Sequence, residues 1–281
     1  MLSYKHGFHA GNHADVLKHI VLFLLIEKLK QKDKPFSYID THSAAGIYDL
    51  TSDEANKTQE YQSGIVSLSE STIAEIPLIA PYLELVKSGL ASQTYLGSPK
   101  LAQELLRSQD QLNLIELHNN EIRELKRNMR GDDRVSIHHR DGFEGLVAIT
   151  PPKPARGLAL IDPAYEVKDD YAQVVKAVAS SVAKWPVGIF AIWYPILAAE
   201  RDRSEWLTRK LAELPVKNLL ISEMCVSEQE TEFGMHGSGM AIINAPYQLD
   251  KQLEQILPSL TQTMAQDAAA YHKLEWLVQP S

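Results

Sequence analysis

The apolar run LALI at residues 158–161 ends abruptly in Asp162, Pro163, Ala164 and Tyr165. A buried strand accounts for the first four residues. It does not account for a carboxylate, a proline and an aromatic ring placed where the strand must stop. Those groups suit one kind of chemistry. The exocyclic amine of a base such as adenine is a weak nucleophile, because its lone pair is delocalised into the ring. Two acceptors aimed at its two N–H hydrogens would help, the Asp162 carboxylate supplying one and the Pro163 carbonyl the other. Tyr165 would stack on the base and hold the nitrogen in line with an electrophilic methyl group. That is catalysis by orientation and preorganised acceptors, acting on a base taken out of its stack.

A second concentration of reactive types lies at the start of the chain, where His6, His9, His13 and His19 accompany Lys5 and Lys18. His9 and His13 stand four apart, a spacing that suits metal on a helix. No HExxH occurs and no nearby cysteine completes a site, so no metal is expected. The histidines read instead as a polar cap over a cofactor cleft. A metal-dependent hydrolase is the rival reading, and a chelator that left activity intact would remove it. The single Cys225 rules out an internal disulfide, fits a reducing cytoplasm, and reads as a small buried strand residue.

The elements that must position these groups follow from periodicity. Apolar residues recur at helical spacing over 14–32, and Lys34-Pro35 ends that helix. FSYID then reads as a strand and THSAAG as a turn of small residues, with a helix N-terminus expected after it. Residues 47–96 show no clear strand and read as a mostly helical insertion. Ser98 is expected at a helix N-cap with Pro99 in the first helical position. From there strands and helices alternate: LNLIELH, RVSIHH, GLALIDP, VGIFAIWYP, NLLISEMCV and GMAIINAP are strands, the last two with no helix between them. This predicts an α/β, doubly wound, mostly parallel sheet with an antiparallel final strand. The main domain takes residues 1–46 and 97–281, and the inserted helical subdomain residues 47–96.

Ligands of such a sheet lie at the carboxyl ends of its strands. Those tips are Asp40-Thr41-His42, Glu116, Asp141-Gly142, Asp162 and Tyr194-Pro195, and four of the five carry a carboxylate. Glu116 stands where two vicinal ribose hydroxyls would find two acceptor oxygens. Asp141 suits either an exocyclic amine or a helix N-cap. A nucleoside-containing cofactor is expected, and a dinucleotide less so, because GxGxxG is absent and only Gly46 survives in the first turn. Trp193-Tyr194-Pro195 reads either as a wall of the base pocket or as aromatic core.

The 281 residues are 44% hydrophobic and carry a net charge of −8, and no apolar run reaches the length of a membrane span. The charge argues against a partner held mainly by phosphate attraction, so any basic footprint must be local. Seven acids face Lys57 alone over residues 49–84, whereas RELKRNMR at residues 123–130 is basic. That helix reads as a solvated face or as an RNA contact.

DPAY looks like the DPPY signature of amino-directed methyltransferases that use S-adenosylmethionine. With MLSYKHGFHAGNHADVLKH, DTHSAAG, GSPKLA, LIELH and RDGF, the chain resembles, over nearly its whole length, the bacterial 23S ribosomal RNA adenine-N6 methyltransferase family known as RlmJ. The resemblance implies a class I, Rossmann-like methyltransferase fold with a helical subdomain after the first strand, S-adenosylmethionine as cofactor, and 23S RNA as partner, either protein-free or in an early assembly intermediate. It also implies that His19, His42, Ser98, Glu116, Asp141, Gly142 and Asp162 contact the cofactor and that Asp162 is catalytic. Tyr4 falls on a position that meets the RNA, and His6 and Lys18 lie near the target pocket. Two residues depart from the pattern: Ala164 replaces a proline, and Ala44 replaces a glycine of THAGAG. The first is expected to relax the loop, the second to lower cofactor affinity if its position needs a positive φ. The same chemistry on DNA, and a nucleic-acid binding protein with a degenerate site, are the alternatives.

Overall fold

The computed structural model describes residues 5–280, so Tyr4 lies outside the described residues. The chain begins with a 3-10 turn, His6–Phe8, and then α1 (His13–Lys30), β1 (Ser37–Asp40) and β2 (Ile47–Asp49). Three helices follow, α2 (Asp53–Thr58), α3 (Ser67–Glu70) and α4 (Ala80–Ala91), then β3 (Thr94–Leu96) and α5 (Ser98–Leu105). The alternating part comprises β4 (Gln111–Glu116), α6 (Asn119–Asn128), β5 (Val135–His139), α7 (Gly142–Ile149), β6 (Gly157–Ile161), α8 (Asp169–Lys184), β7 (Ile189–Leu197) and α9 (Ser204–Ala212). It closes with β8 (Leu219–Cys225), β9 (Met235–Ile243), α10 (Leu249–Met264) and β10 (Tyr271–Val278).

Eight strands form one sheet in the order β10-β8-β9-β7-β6-β1-β4-β5. The pairs from β5 through β4, β1 and β6 to β7 are parallel. Every residue of β1 and β6 is buried, as strands covered on both faces require. β9 is antiparallel to both β7 and β8, because the β8–β9 link has no crossover helix. β8 therefore runs with the parallel set, and the final strand runs against it, as expected, so that β9 and the last strand are the two reversed ones. β10 adds at the edge, antiparallel to β8, and α10 precedes it. Leu249, Leu253, Ile256, Leu257 and Leu260 of α10 are buried at helical spacing in spite of Pro258 within the helix.

One face of the sheet carries α1, α5, α10 and the helices of residues 47–96; the other carries α7, α8 and α9. From Ile20 to Ile26 α1 is apolar on every side because it is covered on every side, lying between the sheet and the outer helices. Asn12 caps it, accepting from the Ala14 and Asp15 amides at 3.0 Å each, a contact worth about 1 kcal/mol.

Two local expectations fail. No helix follows the first turn: the chain enters β2, which pairs antiparallel with β3 (Ile47 opposite Leu96, Asp49 opposite Thr94). Three residues per strand are too few for an alternation to be visible. Ser98 is not an N-cap but the first helical residue of α5, after Gly97, and its hydroxyl donates to Asp40 Oδ2 at 2.7 Å. Cys225 is buried in β8 as expected. None of the helices among the described residues is long and apolar enough to cross a membrane.

Candidate active site

β6, β1 and β4 are neighbours at the middle of the sheet, so their tips bring Asp162, the residue 40–44 turn and Glu116 to one edge. α1 delivers the fourth component. Lys18 Nζ donates to Asp162 Oδ2 at 2.5 Å and to Asp15 Oδ1 at 2.8 Å, with side-chain exposures of 5%, 15% and 2% for the lysine and the two acids. Asp15 Oδ2 also accepts from the Gly11 amide at 2.8 Å and lies 2.9 Å from His6 Nε2. The Lys18 ammonium stands 5.9 Å from the centre of the Trp193 ring. Burial alone would lower the Lys18 pKa, but the carboxylates of Asp15 and Asp162 more than offset it and raise it above the usual lysine range. Burial would likewise raise Asp15, yet His6 and Lys18 hold it well below the usual carboxylate range. His6, Lys18 and Asp162, three of the residues singled out in the sequence, thus form one connected chain through Asp15. Asp15 itself was not singled out; its signal is a charge three residues from Lys18 in the first turns of a largely apolar helix.

The loop after β6 is fixed by its aromatic residue. Tyr165 has φ +51°, its ring centre lies 4.5 Å from that of Tyr171 and 6.0 Å from that of Trp193, and its hydroxyl donates to the Trp193 carbonyl at 2.8 Å. The hydroxyl as well as the ring thus anchors Tyr165. Pro163 is buried and no described residue bonds its carbonyl. Ala164 is exposed, so its departure from proline removes no packed group. Trp193 flanks the site, whereas Tyr194 is core, fully buried with its hydroxyl donating to Glu223 at 2.8 Å.

The turn after β1 is held by the acids at the neighbouring tips. Fully buried Asp40 accepts from the Tyr38 and Ser98 hydroxyls at 2.7 Å each, and burial pushes its carboxyl up to about 6 despite those bonds. Glu116 accepts from the Ala44 amide at 2.7 Å and the His118 amide at 2.6 Å. Ala44 has φ +46°, so the position does call for the left-handed region that a glycine adopts freely. Asp141 takes its N-cap role, accepting from the Glu144 amide at 2.9 Å. Gly142 carries no side chain because a Cβ there would overlap the Thr41 carbonyl and the His42 ring. His42 meets Phe143 edge-on at 5.1 Å, and burial lowers its pKa to about 4. His19 stands next to Lys18 on α1. Its Nδ1 lies 2.7 Å from the Tyr95 hydroxyl, its buried Nε2 has no partner among the described residues, and burial lowers its pKa to about 3.

His9 is tied to the Glu60 carboxylate at 2.9 Å, whereas the buried Nδ1 of His13 has no hydrogen-bond partner among the described residues. No group of three metal-ligating side chains occurs among the described residues. On α6, Arg127 pairs with Glu124 and Arg123 donates to Asn120, as on a solvated face.

Residues 33–278 match a family model described as "Ribosomal RNA large subunit methyltransferase D, RlmJ". Two proteins named "Ribosomal RNA large subunit methyltransferase J" align over 99% of this chain and 99% of their own. The one from Haemophilus influenzae is 44% identical and the one from Escherichia coli 41%. A Legionella pneumophila protein of known crystal structure superposes with a TM-score of 0.85 at 36% identity, covering 95% of this chain and 98% of that one.

Proposed function

The chain belongs to the RlmJ family of large-subunit ribosomal RNA methyltransferases, and on that premise we propose that it transfers the methyl group of S-adenosylmethionine to the N6 amine of an adenine in 23S RNA. The observation that carries the reading is the Lys18–Asp162 pair at the tip of β6. Lys18 occupies Oδ2 and fixes the rotation of the carboxylate. Oδ1, which has no hydrogen-bond partner among the described residues, is left as the acceptor for an amine hydrogen. The unbonded Pro163 carbonyl is the second acceptor. Together they turn the amine lone pair out of the ring plane towards the methyl group, at no cost of reorganisation when the reaction occurs.

The residues at the edge fit the cofactor. His19 has a buried nitrogen without a partner, and Glu116 retains lone pairs beyond those its two backbone donors use. His42, Ser98, Asp141 and Gly142 surround the same turn. When bound, S-adenosylmethionine supplies a methyl group activated by a positively charged sulfur. Residues 47–96, bounded by β2 and β3, form the inserted subdomain in this reading. Tyr165 and Trp193 wall the base pocket, and His6 and Lys18 lie beside it. The substrate is protein-free RNA or an early assembly intermediate, met in the cytoplasm.

The test is methyl transfer from labelled S-adenosylmethionine to protein-free 23S RNA, with duplex DNA and Asp162→Ala enzyme in parallel. Label recovered as N6-methyladenosine from RNA, and lost in the variant, is the expected result. Label on DNA alone would overturn the substrate. No label beside retained cofactor and RNA binding would make this a binding protein.

A further inference from the structure

We propose that Asp15, a carboxylate outside the expected catalytic and cofactor sets, is the positioning residue that holds His6 and Lys18 in register with Asp162. This inference rests on the methyltransferase reading above. Its first support is connectivity. Asp15 bonds three separate pieces of the N-terminal segment: the 3-10 turn through His6, the left-handed turn at Gly11 (φ +80°) through its amide, and α1 through Lys18. No other described residue bonds both His6 and Lys18. Asp15 and Lys18 stand at i, i+3 on one helix face, so the carboxylate sets the direction from which the ammonium approaches Asp162.

The second support is energetic. The Lys18 ammonium already has a counterion in Asp162. A second carboxylate, 2% exposed, is one more buried ion, and each such ion must be stripped of water before it pairs. A fold under demand for stability alone would place an apolar group there. The extra ion is explained if its return is geometric, because a shared ammonium with two fixed acceptors has one place to stand. The third support is the direction of the hydrogen bonds. An ionised carboxylate only accepts, so Asp15 requires His6 Nε2 to carry its hydrogen and thereby fixes the ring's tautomer as well as its position.

Two substitutions separate positioning from other roles. Asp15→Asn keeps the shape and removes the charge; Asp15→Glu keeps the charge and displaces it by one methylene. Each is assayed for S-adenosylmethionine affinity, for KM towards protein-free 23S RNA, and for kcat per cofactor-binding molecule, alongside wild type and Asp162→Ala. In both Asp15 variants kcat should fall by about 10- to 100-fold, the scale of a misplacement near 1 Å, while cofactor affinity and KM stay within about threefold. Wild-type kcat in Asp15→Glu would reduce the role to charge balance and overturn the inference. So would wild-type kcat per cofactor-binding molecule in Asp15→Asn, or loss of cofactor binding in both variants, which marks a purely structural residue. Asp162→Ala keeps the two readings apart. If it is inactive while the Asp15 variants are not, only the inference fails; if it too retains its rate, the role of Asp162 fails and the inference with it; and if wild type itself transfers no methyl group, it is the methyltransferase reading that fails.

Discussion

At the scale of single residues, the two departures from the family pattern have different weight. Ala164 is exposed and costs nothing visible, whereas Ala44 sits at φ +46°. A left-handed alanine is strained by about 1–2 kcal/mol, and glycine returns part of that as unfolded-state entropy. Ala44→Gly should therefore raise stability by up to about 1 kcal/mol in urea unfolding and bind S-adenosylmethionine at least as tightly. A clear loss of stability would show that the Glu116 bond, and not φ, governs this turn. Tyr165→Phe leaves the Trp193 carbonyl without its donor and should cost about 1–3 kcal/mol. Tyr165→Ala should cost more and lower kcat further, since it also removes the ring from beside Tyr171 and Trp193; equal effects would assign the whole role to the hydroxyl. Asp162, Pro163 and Tyr165 drew notice in the sequence, because strand end, acceptor and ring are adjacent there. Asp15 did not, because its value depends on Asp162, which lies far along the chain from its helix.

At the scale of elements, the N-terminal segment is a strap fastened to the insertion. Glu60 holds His9 and Asn12 at 2.9 Å each, Lys5 pairs with Glu54 at 2.6 Å, Thr58 donates to the Phe8 carbonyl, and the Ile65 amide donates to the Gly11 carbonyl at 2.8 Å. The exposed pairs are worth little singly; the close approach at Gly64 is worth more. A Cβ on Gly64 would overlap the Gly11 carbonyl, so Gly64→Ala should destabilise by about 1–3 kcal/mol and speed proteolysis within the first dozen residues. An unchanged proteolysis pattern would show that the strap does not depend on this contact. The long buried strands and α1 were legible because their apolar runs exceed any local ambiguity. β2 and β3 were not, having three residues each, and α10 carries a proline where a helix would ordinarily stop. The acid-rich 49–84 stretch and the histidine-rich start were both visible as compositions; that one binds the other is a tertiary fact.

At the scale of the whole molecule, stability should depend on pH through histidines buried in their neutral form. Burial lowers His19 to about 3, and His13 and His42 to about 4. Between these values and the unfolded value of about 6.5, the unfolded chain binds protons that the folded chain refuses. The stability these groups contribute is complete above that window and is lost as pH falls through it. Removing one isolates its share: from about pH 7.5 to 5.5 wild type should lose roughly 1 kcal/mol more than His19→Asn in urea unfolding. Equal losses would mean that His19 is not kept neutral by the fold. The Lys18–Asp162 contact has a different consequence at this scale, in time. Its partners are separated by 144 residues, so a nascent chain exposes the lysine long before the aspartate exists. Contacts of such sequence separation are completed late, after the intervening loop entropy has been overcome. A truncated or half-folded chain thus lacks the proposed reacting centre altogether, and on that reading competence to modify RNA arrives only with the finished sheet.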